Sequence, residues 1–161
     1  MNEKLVNPSK KQWFMLVLCV IAGSIAPFFQ YCHGTLSDYI METYSISYSQ
    51  LSIINTAYSF ACGIGLFIVG AMVEKRGCKF FTMLGIGIMI VGHAMFFFAP
   101  SYAVLIISRL VSGFGNACIY NAAYTLAVHW FNGTNKMGVA TGAMTAADGI
   151  CTFCALYIFS L

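Results

Sequence analysis

Charge is what this sequence has least of. Eight Lys/Arg and five Asp/Glu make up 8% of its 161 residues, while 60% are hydrophobic. Ordinary soluble domains carry about 25% charged residues, so a soluble globule of this size is excluded for want of polar surface. Clustered basic residues are also missing. The net charge of +3 is spread over the ends of apolar runs, which excludes a nucleic-acid-binding patch. His33, Asp38 and Glu42 fall near one another but match no metal-ligand spacing. Without clustered ligands or acid–base pairs, no enzyme, metal site or cofactor is expected. The cysteines lie almost wholly in apolar runs, where Cys packs as a small hydrophobe, and Cys151-x-x-Cys154 has no second ligand pair.

What the sequence has in quantity is long apolar runs. A helix needs about 20 apolar residues to cross a bilayer. Five segments qualify, at about 13–33, 51–73, 80–99, 103–128 and 138–160, and they predict an all-α integral membrane protein. Ser47-x-x-Gln50 resembles a capping box opening the second span. Pro100-Ser101 and Asn132-Gly-Thr-Asn135 are breaks between later spans. The first run follows Lys10-Lys11 as a signal peptide would, but Pro27 after Ser24-Ile25-Ala26 disfavours cleavage, so it reads as an uncleaved span. Pro27 is expected to kink that helix.

Lys4, Lys10, Lys11, Lys75, Arg76, Lys79 and Lys136 all fall at one end of the alternating spans, and the opposite loops hold no Lys or Arg. By the positive-inside rule that end is cytoplasmic. Residues 1–12 then form a cytoplasmic N-terminus, 13–161 a membrane bundle, and Leu161 lies outside; a plasma-membrane location is expected.

Two ionisable residues remain at membrane depth, Arg109 in the fourth span and Asp148 in the fifth. Each costs about 2.5–3.5 kcal/mol at a helix centre on insertion scales, so neither should face lipid. Thr141, Thr145, Asp148 and Thr152 share a helical face, as do Arg109, Gly113, Ala117 and Asn121, beside Ser108, Ser112 and Asn116. Gly23, Pro27, Gln30 and Gly34 form a third stripe. Such stripes either line a cavity for a polar or anionic solute or let helices approach closely. Arg109 favours function. Asp148 is a proton site, a partner of Arg109 or a substrate contact. His93 reads as a hydrogen-bonded structural histidine. Ala57, Ala61 and Gly65 read as a packing face.

The stretch from Gly70 to Lys79, GAMVEKRGCK, resembles motif A of the major facilitator superfamily, with Glu74 at the acid position, Met72 for Leu and Cys78 for a common Arg. Arg109-Leu-Val-Ser-Gly113-Phe-Gly115-Asn-Ala117 resembles that family's fourth-helix motif. Gln30-Tyr31, Trp130-Phe131 and Gly138-Val-Ala-Thr-Gly142 are similar to the oxalate–formate and monocarboxylate branch, while Asp148-Gly149 stands where the antiporter Gly-Pro pair would be. The resemblance implies alternating access, with a solute cavity between two six-helix bundles. It implies that Gly70, Glu74, Lys75, Arg76, Gly77 and Lys79 form a gating loop packed on the opposite bundle, and that Arg109 organises the cavity near the first helix. It further implies a cavity or coupling face including Gln30, Asn121, Thr145 and Asp148. The chain covers only five of the family's usual twelve helices, so an N-terminal fragment that does not transport alone is expected. Its partners would be the bilayer, a small solute, and a C-terminal bundle or complementary chain. The alternative is a non-transporting structural remnant; further apolar spans encoded beyond Leu161 would favour the transporter.

Overall fold

The computed structural model describes residues 7–31 and 36–158, except the side chains of Ile25, Ala26 and Phe29. Cys32, His33 and Gly34 lie outside the described residues. The helices are α1 (Lys10–Tyr31), α2 (Ser37–Tyr44), α3 (Tyr48–Arg76), α4 (Cys78–Phe97), α5 (Tyr102–Phe131) and α6 (Met137–Ile158). Among the described residues, α3, α4, α5 and α6 are long and apolar enough to cross a membrane. They fall on the second to fifth expected segments; α1 falls on the first but is not among the helices that meet this measure. Pro27 lies inside α1, which continues past it to Tyr31.

The short α2 is an element the sequence pattern did not announce. The loop after the first span looks polar, yet Ile40 packs with Ile46, Leu51, Ile54 and Leu105. Ser45, in the left-handed region at φ 50°, ends the helix by donating its N–H to Glu42. The Tyr44 hydroxyl donates to the Ala99 carbonyl at 2.7 Å, and that of Tyr102 to Gln50 at 2.9 Å. The first bond ties α2 to the turn between α4 and α5, and the second ties the start of α5 to the start of α3. The capping box is present: the Ser47 N–H donates to Gln50 Oε1 at 2.9 Å, and the Gln50 N–H to Ser47 Oγ at 3.4 Å.

α5 is the centre of the bundle. Half of its apolar stretch (50%) is buried, against 22% of α3, 22% of α4 and 17% of α6. It is central because one side of it is nearly all small. A Cβ on Gly113 would collide with the Tyr58 carbonyl of α3, and one on Gly65 would stand 2.7 Å from the Ala117 Cβ. On the α4 side, a Cβ on Gly85 would lie 2.8 Å from the Gly115 carbonyl, and one on Gly92 2.8 Å from the Ser112 N. Lipid tails are as apolar as the helices, so close backbone approach and packing hold such seams rather than expulsion of water.

α1 pairs with α6 and α5 through Leu16, Cys19, Ala123, Ala127, Phe131, Ala140 and Met144. At the basic end, Gln12 Nε2 donates to the Trp130 carbonyl at 2.6 Å, Trp13 meets Phe131 edge-on at 5.5 Å, and Lys11 lies over Trp130. Trp130-Phe131, noted in the sequence as a resemblance, thus clamps the start of α1. Large apolar side chains such as Phe67 (86% exposed), Phe97 (81%) and Phe153 (71%) point outward, as a lipid-facing surface requires.

Candidate functional site

Arg109 is 1% exposed, between α3 and α4. Its Cζ lies 4.7 Å from the centre of the Phe96 ring and 5.6 Å from that of Tyr58. Ring faces are electron-rich, so two of them offset part of the loss of hydration. Beside it, the Ser108 and Ser112 hydroxyls donate to the Leu105 and Ser108 carbonyls of their own helix, at 2.7 and 2.8 Å. The stripe containing Arg109, Gly113 and Ala117 is therefore mainly a packing seam.

Open space lies between α1 and α3, which share almost no close contact. A pocket of about 300 Å³ there is lined by Gln30, Tyr31, Asn55, Thr56, Tyr58 and Ser59. Of the residues expected on a solute-cavity face, Gln30 is among those that line this pocket. Asn55, Tyr58 and Ser59 were not singled out from the sequence. Asn55 and Ser59 stand four residues apart, a polar pair within an apolar run that was available as a signal. Nothing in the local pattern marks Tyr58, the residue that touches both the pocket and the Arg109 guanidinium.

The remaining expected residues separate into distinct environments. Asn121 donates through Nδ2 to the Leu66 carbonyl at 3.0 Å, and a Cβ on Gly70 would lie 3.6 Å from its Oδ1. Asn121 thus ties α5 to α3 beside the start of motif A. The Thr145 hydroxyl donates to the Thr141 carbonyl of its own helix at 3.2 Å, and its side chain is exposed. Asp148 is half-buried on α6, within Coulombic reach of Cys62 on α3 and Tyr120 on α5. His93 Nδ1 donates to the Met89 carbonyl at 2.8 Å, the local bond expected of a structural histidine. Cys151 and Cys154 are free thiols, and no group of His, Cys, Asp and Glu among the described residues could hold a metal ion.

At the motif A turn, α3 passes directly into α4 through Gly77, whose φ of 87° and ψ of 146° favour glycine strongly. Its N–H donates to the Val73 carbonyl at 2.9 Å. Glu74, Lys75, Arg76 and Lys79 are exposed, and Arg76 lies over the Phe80 ring.

A bundle of long apolar helices, seamed by small residues around a buried arginine, with a pocket between two of the helices, defines an all-helical membrane protein. Residues 15–161 match the family model described as Major Facilitator Superfamily, and the chain belongs to that family. It is a membrane transporter of the major facilitator type. Comparison with curated proteins returns no match.

Proposed function

We propose that this chain forms one wall of a secondary active transporter that carries a small polar solute by alternating access. The observation that carries the proposal is the pocket between α1 and α3, whose lining includes the amide residues Gln30 and Asn55 and in which Tyr58 links the lining to Arg109. Such groups replace the water lost by a solute on entering the membrane. Because α1 and α3 barely touch, their separation can change without opening a packed seam. Small organic anions, carboxylates above all, are the solute class that the branch resemblance implies.

Motif A serves in this reading as a latch at the cytoplasmic end. Glu74 is exposed, next to a turn that only a residue tolerant of positive φ can make. The facing wall is a second bundle, in this or a complementary chain, and Glu74 pairs with it in the cytoplasm-closed state. The basic end of the bundle faces the cytoplasm, at the plasma membrane.

Because transport needs the facing wall, binding is the readout for this chain. The full chain in lipid vesicles should bind a radiolabelled small carboxylate from a set that includes amino acids, and Tyr58→Phe and Gln30→Leu should weaken binding at least several-fold. Unchanged affinity in both variants would sink the assignment of the pocket.

A further inference from the structure

A second charged residue, Asp148, lies on the α6 side of α5, beside a gap between two helices that do not pack on each other. α6 packs on α1 and α5, α3 packs on α5 and α4, and α3 and α6 share little or no close contact. α5 bridges that gap with Asn116 and Tyr120. Its register against α3 is set by the Asn116 amide, which donates to Cys62 Sγ at 3.5 Å, and by Gly65 against Ala117. Its register against α6 is set by Met144, clustered with Ala123 and Ala127. One helical turn beyond Met144, Asp148 comes level with Tyr120. Cys62, Asn116, Tyr120 and Asp148 therefore share one level from three helices. α1 reaches Met144 through Gly23, where a Cβ would lie 3.5 Å from the Met144 methyl, and so brings no charge to the cleft there.

Two features of this level ask for a ligand. Asn116 is 6% exposed, and its Oδ1 has no hydrogen-bond partner among the described residues. A buried acceptor left unmade is a standing cost that an arriving N–H donor removes. Asp148 brings a formal negative charge, and the buried cation of the bundle does not answer it from within the cleft. Arg109 is seven residues before Asn116, about 10 Å along α5 at about 1.5 Å per residue, and is stacked between Phe96 and Tyr58. Among the described residues, the charge presented to this cleft is negative.

We propose that the transported solute carries a protonated amine, with Asp148 as its counter-charge and Asn116 and Tyr120 as the hydrogen-bonding wall beside it. This assignment rests on the transporter reading and narrows its substrate class: a carboxylate carried by this protein is a zwitterion. An ammonium supplies both the positive charge Asp148 needs and the donor that Asn116 Oδ1 lacks. A simple carboxylate supplies neither.

Cys62 is a built-in reporter of the field at this level. The native chain in lipid vesicles is treated with a cationic trimethylammonium-ethyl methanethiosulfonate or its anionic sulfonatoethyl counterpart. Modification of Cys62 is read by peptide mass spectrometry, so no cysteine needs replacing. Relative to the native chain, Asp148→Asn should slow the cationic reagent and speed the anionic one, each by about fivefold for a unit charge several ångströms away in a partly hydrated site. Asp148→Glu, which keeps the charge, should hold the native ratio and shows that the effect is not misfolding. Ethanolamine should protect Cys62 in the native chain, whereas propionate and sodium chloride at equal concentration should not.

A reagent ratio unchanged in Asp148→Asn overturns the proposal. Protection by sodium equal to that by ethanolamine also overturns it, in favour of an inorganic cation. A field without ethanolamine protection overturns the amine and leaves the transporter reading standing. Cys62 inert to both reagents shows that no water reaches this level and overturns the proposal, while the transporter reading, which rests on the α1–α3 pocket, stands.

Discussion

Exchanging the guanidinium of Arg109 for an ammonium tests how this bundle holds a charge it almost completely buries. The Arg109 Cζ is 4.7 Å from the Phe96 ring centre, and the side chain is 1% exposed. A desolvated cation–π contact is worth about 2 kcal/mol, and an exposed one about 0.5–1 kcal/mol. The planar guanidinium stacks on a ring, whereas the compact ammonium of lysine binds water more tightly and stacks less well. Arg109→Lys and Phe96→Leu should therefore each destabilise the fold, and the double variant should lose less than their sum. The expected coupling is about 1–2 kcal/mol. The assay is reversible unfolding of the full chain in mixed micelles, titrated with a denaturing detergent, for wild type, both single variants and the double. The control cycle pairs Arg109 with Phe97, adjacent in sequence but 81% exposed, and should give no more than about 0.5 kcal/mol. A coupling between Arg109 and Phe96 no larger than this control would refute the claim that the rings hold the charge.

Three further outcomes follow from the same geometry. Gly113→Val drives side-chain atoms into the Tyr58 carbonyl and should cost at least about 1–3 kcal/mol, while Gly87→Val, where a Cβ meets nothing within 4 Å, should cost far less; thermal unfolding in detergent compares them. Gly77→Ala forces a side chain into φ 87° and should lower stability by about 1–3 kcal/mol, whereas Gly142→Ala, inside α6 with open space around it, should raise it by up to about 1 kcal/mol. A cysteine at residue 75 should react with an impermeant thiol reagent from the cytoplasmic side; labelling only from outside would reverse the proposed topology.

The helices were legible because hydropathy in a bilayer is a strong, one-dimensional signal. Lipid demands that backbone groups be satisfied within each segment, so a run of about 20 apolar residues has few alternatives to a helix. Ser47 and Gln50 were legible as a cap for a similar reason: the bonds involved span three residues. The site was only partly legible. Arg109 announced itself as a charge in an apolar run, and Gln30 as a polar residue at a helix end. Periodicity could not say which small or polar stripe faces a neighbouring helix and which faces space. Gly113 and Ala117 turned out to be seam, and Asn121 a tie to the Leu66 carbonyl. Tyr58 and Phe96, which flank the guanidinium, look like any aromatics in a membrane helix. Ile40 was hidden in a loop whose composition is polar, because a single buried side chain is enough to seat a two-turn helix.

What the sequence determined by itself was where the helices run, the end at which the basic residues gather, and the glycine on which motif A turns. Each depends on interactions within a few residues or with the solvent, lipid or water. What only the tertiary structure decided was which residues meet: Tyr58 and Phe96 on Arg109, and Asn116 on Cys62. Those meetings depend on the rotation of each helix about its axis. That rotation is set where α5 lies against α3 and α4 at glycine distance, by contacts between residues far apart in the chain, such as Gly65 with Ala117 and Gly85 with Gly115. No short window of sequence contains them.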